Sequence, residues 1–385
     1  MSSASYSIAF FANPAGKHNL KWIRRIAAEH QVILLCTENI APETWLTDGF
    51  DGPIYPLLPA LYPHSNPLKR KAIVRQLRQV FEKHRIDIAH SMYAYPHAYY
   101  PWLLRFPRHV ITTRGSDVLV DYQQTFSNPE NWKQRLAYRQ LQQVFEKTIA
   151  SASAITSTSK RQQEVLRQLT DPAKLHLIRT GVPVDELQAA AKKHDGAPKG
   201  NFRIFSPRAM APLYNQDLIV QAFQLLCEHL PNEDLELVLI DDRPGTPYAQ
   251  KVRDLVQSLN LESRVSFVPQ QNLEGLVQLY MEAQVVVMLP QSDGTPNTAL
   301  ESMILRRPLV MGAIGYDDDL FSPEAVWRTE EDTPLALKNT LLKVLQASEK
   351  EQAIRSSRAF ECAYEGAALS ESLRKINQIY NRLMI

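Results

Sequence analysis

The sequence predicts an α/β protein with two doubly wound parallel-sheet domains, on three observations. Short apolar runs rich in β-branched residues alternate with longer segments of helical period, the pattern of βα repeats. The repeats fall into two series, and 385 residues are too many for one ordinary core. Between the series lies Ala189 to Gly200, small and polar with two glycines and a proline, the best linker candidate in the chain. The expected division is 1–184, a linker at 185–200, and 201–369, with a last helix over 370–385.

In the first series Tyr6–Asn13 reads as a strand, Asn19 to His30 as a helix and Gln31–Thr37 as the next strand. Gly16 and His18 fall at the first strand-to-helix turn. A single glycine there is not a dinucleotide-binding fingerprint, so Gly16 reads either as a small turn residue or as a loop approaching a substrate. Asn66 to Arg85 is a helix with an apolar stripe at Ile73, Val74, Leu77, Val80 and Phe81. Its other face carries Lys69, Arg70, Lys71, Arg75 and Arg78. That face is either simply solvated or a surface that docks on anionic phospholipid.

Ile86–His90 is a strand running into the aromatic stretch Ser91 to Tyr100. Tyr93 and its neighbours either line a sugar-binding cleft or pack beneath the next helix. His109–Thr113 ends in Arg114-Gly115-Ser116-Asp117, at the sheet edge where open α/β sheets bind ligands. Asp117 reads there as a site acid or as a helix cap. A helical region over 130–151, strand Ala154–Ser157, helix Lys160 to Leu169 and strand Lys174–Arg179 complete the series.

The second series has strands Phe202–Ser206, Leu235–Asp241, Val265–Val268, Val285–Leu289 and Leu309–Met311. A helix begins near Gln216, and others alternate with the strands at 250–259, 273–283 and 296–306. Right-handed crossovers put the C-terminal ends of all these strands on one edge. Val285–Leu289 delivers the chain into Asp293-Gly294-Thr295-Pro296-Asn297 and a helix start, where free N–H groups and the helix dipole favour an anion. Asp293 and Glu301 flank that start, and Arg208 follows the first strand of the series on the same edge. A guanidinium beside such a turn suits a diphosphate. The competing reading of Thr298-Ala299-Leu300-Glu301 is a capping box, with Glu301 satisfying only the helix's own N–H.

Apolar content of 44% and charged content of 22% describe a folded globular chain, not a disordered one. The net charge of +2 argues neither for nor against any partner, and nucleic acid is not among those expected. Cys36, Cys227 and Cys362 lie far apart without metal or redox spacing, which suits a reducing cytoplasm. The start lacks the basic and long apolar segments of a signal peptide, and no apolar run is long enough to span a membrane. Asp317-Asp318-Asp319 contains an Asp-x-Asp, read as solvated acids rather than as a metal clamp.

Several of these segments resemble glycosyltransferase family 4. Ile86-Asp87-Ile88-Ala89-His90 is similar to the family's PDIVHAH strand, and Thr113-Arg114-Gly115-Ser116-Asp117 to its THGSD turn. Lys174 to Val182 resembles KIHVIPNGV. Ser206-Pro207-Arg208 with Tyr214-Asn215 resembles the donor loop, and Asp293 to Glu301 the E-x(7)-E signature with its acids eight positions apart. The resemblance implies the GT-B fold, two Rossmann-like domains facing a central cleft, with the last helix crossing back onto the first. It implies a cytoplasmic retaining transferase, peripheral on the inner membrane face, with a nucleotide sugar as co-substrate and neither metal nor cofactor.

On that resemblance Glu301 holds the donor ribose and Asp293, one methylene shorter than the usual acid, the donor sugar. Gly294, Thr295, Pro296 and Asn297 offer N–H groups, and Arg208 holds the diphosphate and stabilises the leaving group. Gly16, His18, His90, Tyr93, Arg114 and Asp117 form the acceptor side, meeting a glycan or lipid-linked glycan. The chain departs from the family in three places. Leu213, Tyr214 and Asn215 stand where a lysine is usual, Arg114 stands where many members have histidine, and the double glycine near the start is absent. A nucleotide-sugar epimerase and a non-catalytic nucleotide- or glycan-binding module are the competing readings.

Overall fold

Burial on both faces turns the short apolar runs into strands of parallel sheets. The computed structural model describes residues 5–37, 49–57, 67–194 and 201–385, the side chains of Lys17 and His18 excepted. The chain divides into two compact units, 1–180 with 371–385, and 181–370.

The sheet of the first unit comprises β1 (Ser7–Ala12), β2 (Gln31–Cys36), β3 (Ile54–Pro56), β4 (Ile88–Ser91), β5 (His109–Thr112), β6 (Ala154–Ser157) and β7 (Leu175–Leu177). All pairs are parallel, in the order β3-β2-β1-β4-β5-β6-β7. The order reverses between β1 and β4, the switch point where such sheets open a crevice. β1 is buried throughout, as a strand covered on both faces must be. Strand β3 escapes sequence reading because it is a three-residue edge strand, half-exposed and ending in proline, with no apolar run to announce it. The helix Leu369–Leu383 ends in this unit, where the Tyr380 hydroxyl lies 2.6 Å from His90 Nδ1 and Tyr6 donates to Asn381.

The second sheet comprises β8 (Phe202–Ser206), β9 (Leu235–Asp241), β10 (Val265–Pro269), β11 (Val285–Met288), β12 (Leu309–Met311) and β13 (Trp327–Arg328). It is parallel throughout, in the order β10-β9-β8-β11-β12-β13, so its switch point lies between β8 and β11. Buried residues of the two faces form separate clusters, one under the helix Asn297–Ile304 and the other under Gln216–His229.

The stretch 185–200 corrects the sequence reading. It is not linker throughout, because Val184–Ala191 is a helix whose Leu187 and Ala190 are buried in the second unit's core. Alanines that look flexible in a row are good helix formers once one face is covered. Residues 195–200 lie outside the described part, as does Asn66.

Candidate functional site

The switch point of the second sheet brings together the residues singled out from the sequence. Arg208 leaves β8 and meets the turn after β11. Its Nη2 donates to Asp293 Oδ2 at 2.8 Å, and its Nη1 donates to Thr298 Oγ1 at 3.2 Å. The guanidinium lies 4.0 Å from the Tyr214 ring centroid, a cation–π stack that fixes its plane. Its Nε is buried and without a partner. Burial raises the Asp293 pKa, while Arg208 and the Gly294 N–H pull the other way. The pair is thus a partly desolvated cation and anion at the mouth of a helix start.

The helix after this turn runs from Asn297 to Ile304, with Pro296 at its N-cap and no side-chain cap. Thr298 does not act as a capping-box residue. It lies inside the helix, accepts from Arg208 and donates to Met288 Sδ. Gly294, Thr295 and Pro296 are buried and Asn297 half-buried, so the backbone of the turn is firmly seated. Glu301 projects one turn on. Tyr280, on the helix Leu273–Glu282, places its single hydroxyl proton within reach of Glu301 Oε2 at 3.1 Å and the Thr298 carbonyl at 3.0 Å. Tyr280 is fully buried, so this link is rigid.

The segment that replaces the family's usual lysine acts as a brace. Asn215 takes a left-handed conformation, with φ 50°, and its Nδ2 donates to the Leu289 carbonyl at 3.0 Å. Gln216 Nε2 donates to the Arg208 carbonyl at 3.0 Å. These bonds fix the Arg208 loop to the end of β11 but supply no second cation. Tyr280 and Tyr316 escape sequence reading. Tyr280 sits on an apolar helical face and reads as core, and Tyr316 sits in an unpatterned loop. The Tyr316 hydroxyl is buried without a partner, and Asp293 is among the charges that raise its pKa.

In the first unit the expected acceptor-side residues separate. His90 is corrected to a core residue. It is fully buried, with Nδ1 2.6 Å from Tyr380 Oη and Nε2 2.7 Å from Thr112 Oγ1. Asp117 is likewise buried and serves the backbone. Its carboxylate accepts from the N–H groups of Ala94, Arg114, Gly115 and Val118 at 2.9–3.1 Å. That bracket holds the ends of β4 and β5 together, and Gly115 supplies the φ of 109° the turn requires. Burial raises the Asp117 pKa to about 6 against those donors.

Tyr93 is half-buried and held by Ser116 at 2.8 Å and Asp121 at 3.1 Å. The aromatic run divides, with Tyr99 and Tyr100 packed inside while Tyr93 and Tyr95 stay partly exposed. Gly16 is the N-cap of the helix Lys17–Ala27, with an ordinary φ of −83°. A Cβ there would meet the Asn13 carbonyl at 3.2 Å. His18 lies in that helix's first turn. Arg114 stacks 5.4 Å from the Trp22 ring centroid.

Asp318 pairs with Arg328 at 3.0 Å, and among the described residues no group of three or more His, Cys, Asp or Glu is placed to hold a metal. No helix among them is long and apolar enough to cross a membrane.

Two parallel sheets with switch points, one with an arginine and two acids around a helix start, define a two-unit α/β protein with an anion-friendly turn. Two family models match the chain, glycosyltransferase family 4 over residues 15–186 and glycosyl transferases group 1 over 188–359. The chain belongs to glycosyltransferase family 4. A D-inositol 3-phosphate glycosyltransferase of Mycobacteroides abscessus is 28% identical over 149 residues, 38% of this chain and 33% of that protein. Its counterpart in Kineococcus radiotolerans is 27% identical over 184 residues, 45% of this chain and 42% of that one. The matches thus span less than half the length of these curated relatives. Among solved structures, HepE of Anabaena in complex with UDP superposes with a TM-score of 0.77 at 15% identity, covering 98% of this chain and 100% of that one. A glycosyltransferase from Rickettsia africae gives 0.75 at 15% identity, covering 99% of both chains. The fold is GT-B.

Proposed function

We propose that the protein transfers a sugar from a nucleotide-diphosphate sugar to a glycan or lipid-linked glycan acceptor, with retention of anomeric configuration and without a metal or other cofactor. The observation that carries this reading is the Arg208–Asp293–Thr298 cluster at the mouth of the helix Asn297–Ile304, with Glu301 held by Tyr280 one turn on. A diphosphate placed there meets the Arg208 guanidinium, the N–H groups of Gly294 to Asn297 and the positive end of the helix dipole. As the glycosidic bond breaks, charge grows on the leaving diphosphate, and donors already fixed in place stabilise it most. Arg208 supplies the positive charge that a metal would otherwise provide. Asp293 and Glu301 are the acids that read donor hydroxyls. Gly16, His18, Tyr93 and Arg114 remain the acceptor-side residues, and His90 and Asp117 drop out.

The test is a panel of nucleotide sugars, beginning with UDP-glucose, assayed for release of nucleoside diphosphate with and without acceptor extracts. Acceptor-dependent release that falls on the order of 100-fold in Glu301→Ala and Arg208→Ala is the expected result. Binding without turnover supports a non-catalytic module, and interconversion of the donor sugar an epimerase. Unchanged donor binding and turnover in both variants sinks the site.

The reading places the enzyme in the cytoplasm, at the inner face of a membrane where surface polysaccharide or lipopolysaccharide is assembled. Lys69, Arg70, Lys71, Arg75 and Arg78 are all exposed on the helix Pro67–His84, opposite buried Ile73, Leu77, Val80 and Phe81. Such a face adds about 1 kcal/mol per basic residue near an anionic surface. Reversing the charges of Lys69, Arg70, Lys71 and Arg75 should abolish pelleting with anionic vesicles, and unchanged pelleting rules the surface out.

A further inference from the structure

We infer that the first unit carries a subsite for an anionic group of a substrate, a carboxylate or phosphate gripped by the Arg114 guanidinium over the Trp22 ring. The identity of the ligand as a substrate rests on the transferase reading above. The site itself stands on the first unit alone.

Arg114 follows β5, next to β4 and the switch point of the first sheet. Its surroundings are rigid. Trp22 is fully buried, and its Nε1 donates to the Thr180 carbonyl at 2.6 Å. The guanidinium stacks on that indole, and Nη1 reaches Thr180 Oγ1 only at 3.4 Å. Nε and Nη2 are buried with no hydrogen-bond partner. These two nitrogens form one edge of the guanidinium, the edge whose parallel N–H groups grip a carboxylate or phosphate in bidentate fashion.

The charge of Asp117 favours the cation from a distance, but no internal anion pairs with the guanidinium among the described residues. Asp117, the acid nearest in sequence, has both carboxylate oxygens engaged by backbone N–H groups, and Arg114 makes no ion pair among the described residues. A buried arginine left so is costly, and a chain that needed it only for packing would do better with an apolar side chain. Burial lowers the Arg114 pKa to about 10, so it stays charged at neutral pH. The positive charge also helps hold the neighbouring His90 neutral, behind the larger effect of its own burial. Arg114 as a residue is half-buried, so it is not sealed from solvent.

The anion belongs to an acidic or phosphorylated acceptor, and the experiment separates this role from a merely structural one. Binding of inorganic phosphate is measured by calorimetry on the full chain carrying Arg208→Ala, so that the second unit does not contribute, with and without Arg114→Met. The same pair of Arg114 states is compared, with Arg208 intact, for uronate- or phosphate-bearing acceptors against neutral ones. Arg114→Met is expected to weaken the anionic ligand on the order of 30-fold and its neutral counterpart less than threefold. Arg114→Lys, which keeps the charge but not the fork, should recover only part of the loss. The melting temperature of Arg114→Met should equal or exceed the wild type.

If Arg114→Met melts well below wild type and phosphate binding is unchanged, the residue is structural and the subsite does not exist. Absence of phosphate binding together with equal use of acidic and neutral substrates overturns it too. Loss of phosphate binding in Arg114→Met without any sugar transfer keeps the subsite and removes the transferase reading. Transfer indifferent to substrate charge does the reverse.

Discussion

Asp293→Asn should tighten nucleoside diphosphate binding while slowing sugar transfer. The carboxylate holds Arg208 at 2.8 Å, and both side chains are largely buried, at 13% and 17% exposure. A diphosphate entering this turn must share the guanidinium with Asp293 and sit near its negative charge. Asparagine keeps an oxygen for Arg208 Nη2, so the arginine stays in place and only the charge is lost. For a phosphate about 7 Å from the carboxylate in a medium of effective dielectric constant about 40, the repulsion removed is about 1 kcal/mol, roughly sixfold in Kd. Because the pair is shielded from solvent, most of the gain should persist at 0.5 M salt.

Calorimetric titration of UDP, GDP and ADP into both proteins reads the effect on whichever nucleotide binds. The nucleotide lacks the donor sugar, so the Asp293 contact proposed for sugar hydroxyls does not enter. pH supplies an internal control. Burial raises the Asp293 pKa, so lowering the pH protonates the wild-type carboxyl, and wild-type affinity should approach that of the variant from below. Arg208→Ala should weaken both proteins and shrink the difference between them. If Asp293→Asn binds nucleotide no better than wild type while Arg208→Ala binds it worse, Asp293 is a partner of the diphosphate site and not its competitor.

Three further outcomes test the frame around the sites. His97 and His109 are buried with pKa values lowered to about 3, and burial also lowers His90, so each gains a proton only on unfolding. Their stabilisation is complete above pH 6.5 and lost as pH falls, whereas Asp117, raised to about 6, works the opposite way between pH 4 and 6. The buried imidazoles, joined by the lowered His84 and His176, outnumber the raised Asp117 and Asp121, so stability should fall from pH 7 to pH 5, read by urea unfolding with hydrogen exchange on the first unit; a flat profile contradicts the burial of these rings. Asp117→Ala strands four backbone N–H groups and should cost about 3–5 kcal/mol by the same measurement, where a loss under 1 kcal/mol means that water replaces the bracket. Tyr280→Phe should cost about 1 kcal/mol of stability yet raise the donor KM several-fold through a loosened Glu301, and an unchanged KM would show that the link at 3.1 Å does not position it.

Strands β1, β2 and β11 were legible because a strand covered on both faces needs an apolar run, and such runs have few other uses in a charged chain. Arg208 and Asp293 were legible because each follows a strand's end into a turn, and Glu301 because it lies in the helix that the turn begins, eight positions after Asp293. What stayed hidden was shape at the ends of elements. Edge strands β3 and β13 carry too few buried positions to leave a pattern. His90 and Asp117 look like site residues because polar groups at a strand's C-terminal edge usually face ligand. Their burial depends on Tyr380 arriving from 290 residues away, and on backbone N–H groups that carry no side-chain signature. Tyr280 shows the reverse, a site residue masked by an apolar helix.

The two arginines at the sheet edges hold their charge in different ways, and the difference bears on how each unit meets ligand. Arg208 already has an anion, a hydroxyl and an aromatic face, so under the proposed function a diphosphate there would have to share the guanidinium with Asp293. A site shared in that way is stable when empty and selective when full, because a weak anion does not displace the internal one. Arg114 has the aromatic face and the more distant charge of Asp117, but no ion-pair partner for its Nε and Nη2 among the described residues. Such a site gains more from binding than Arg208 does, at the cost of stability in the empty protein. The first unit should therefore be the one whose melting responds more strongly to its anionic ligand, since ligand there relieves a strain that the second unit has already resolved within its own chain.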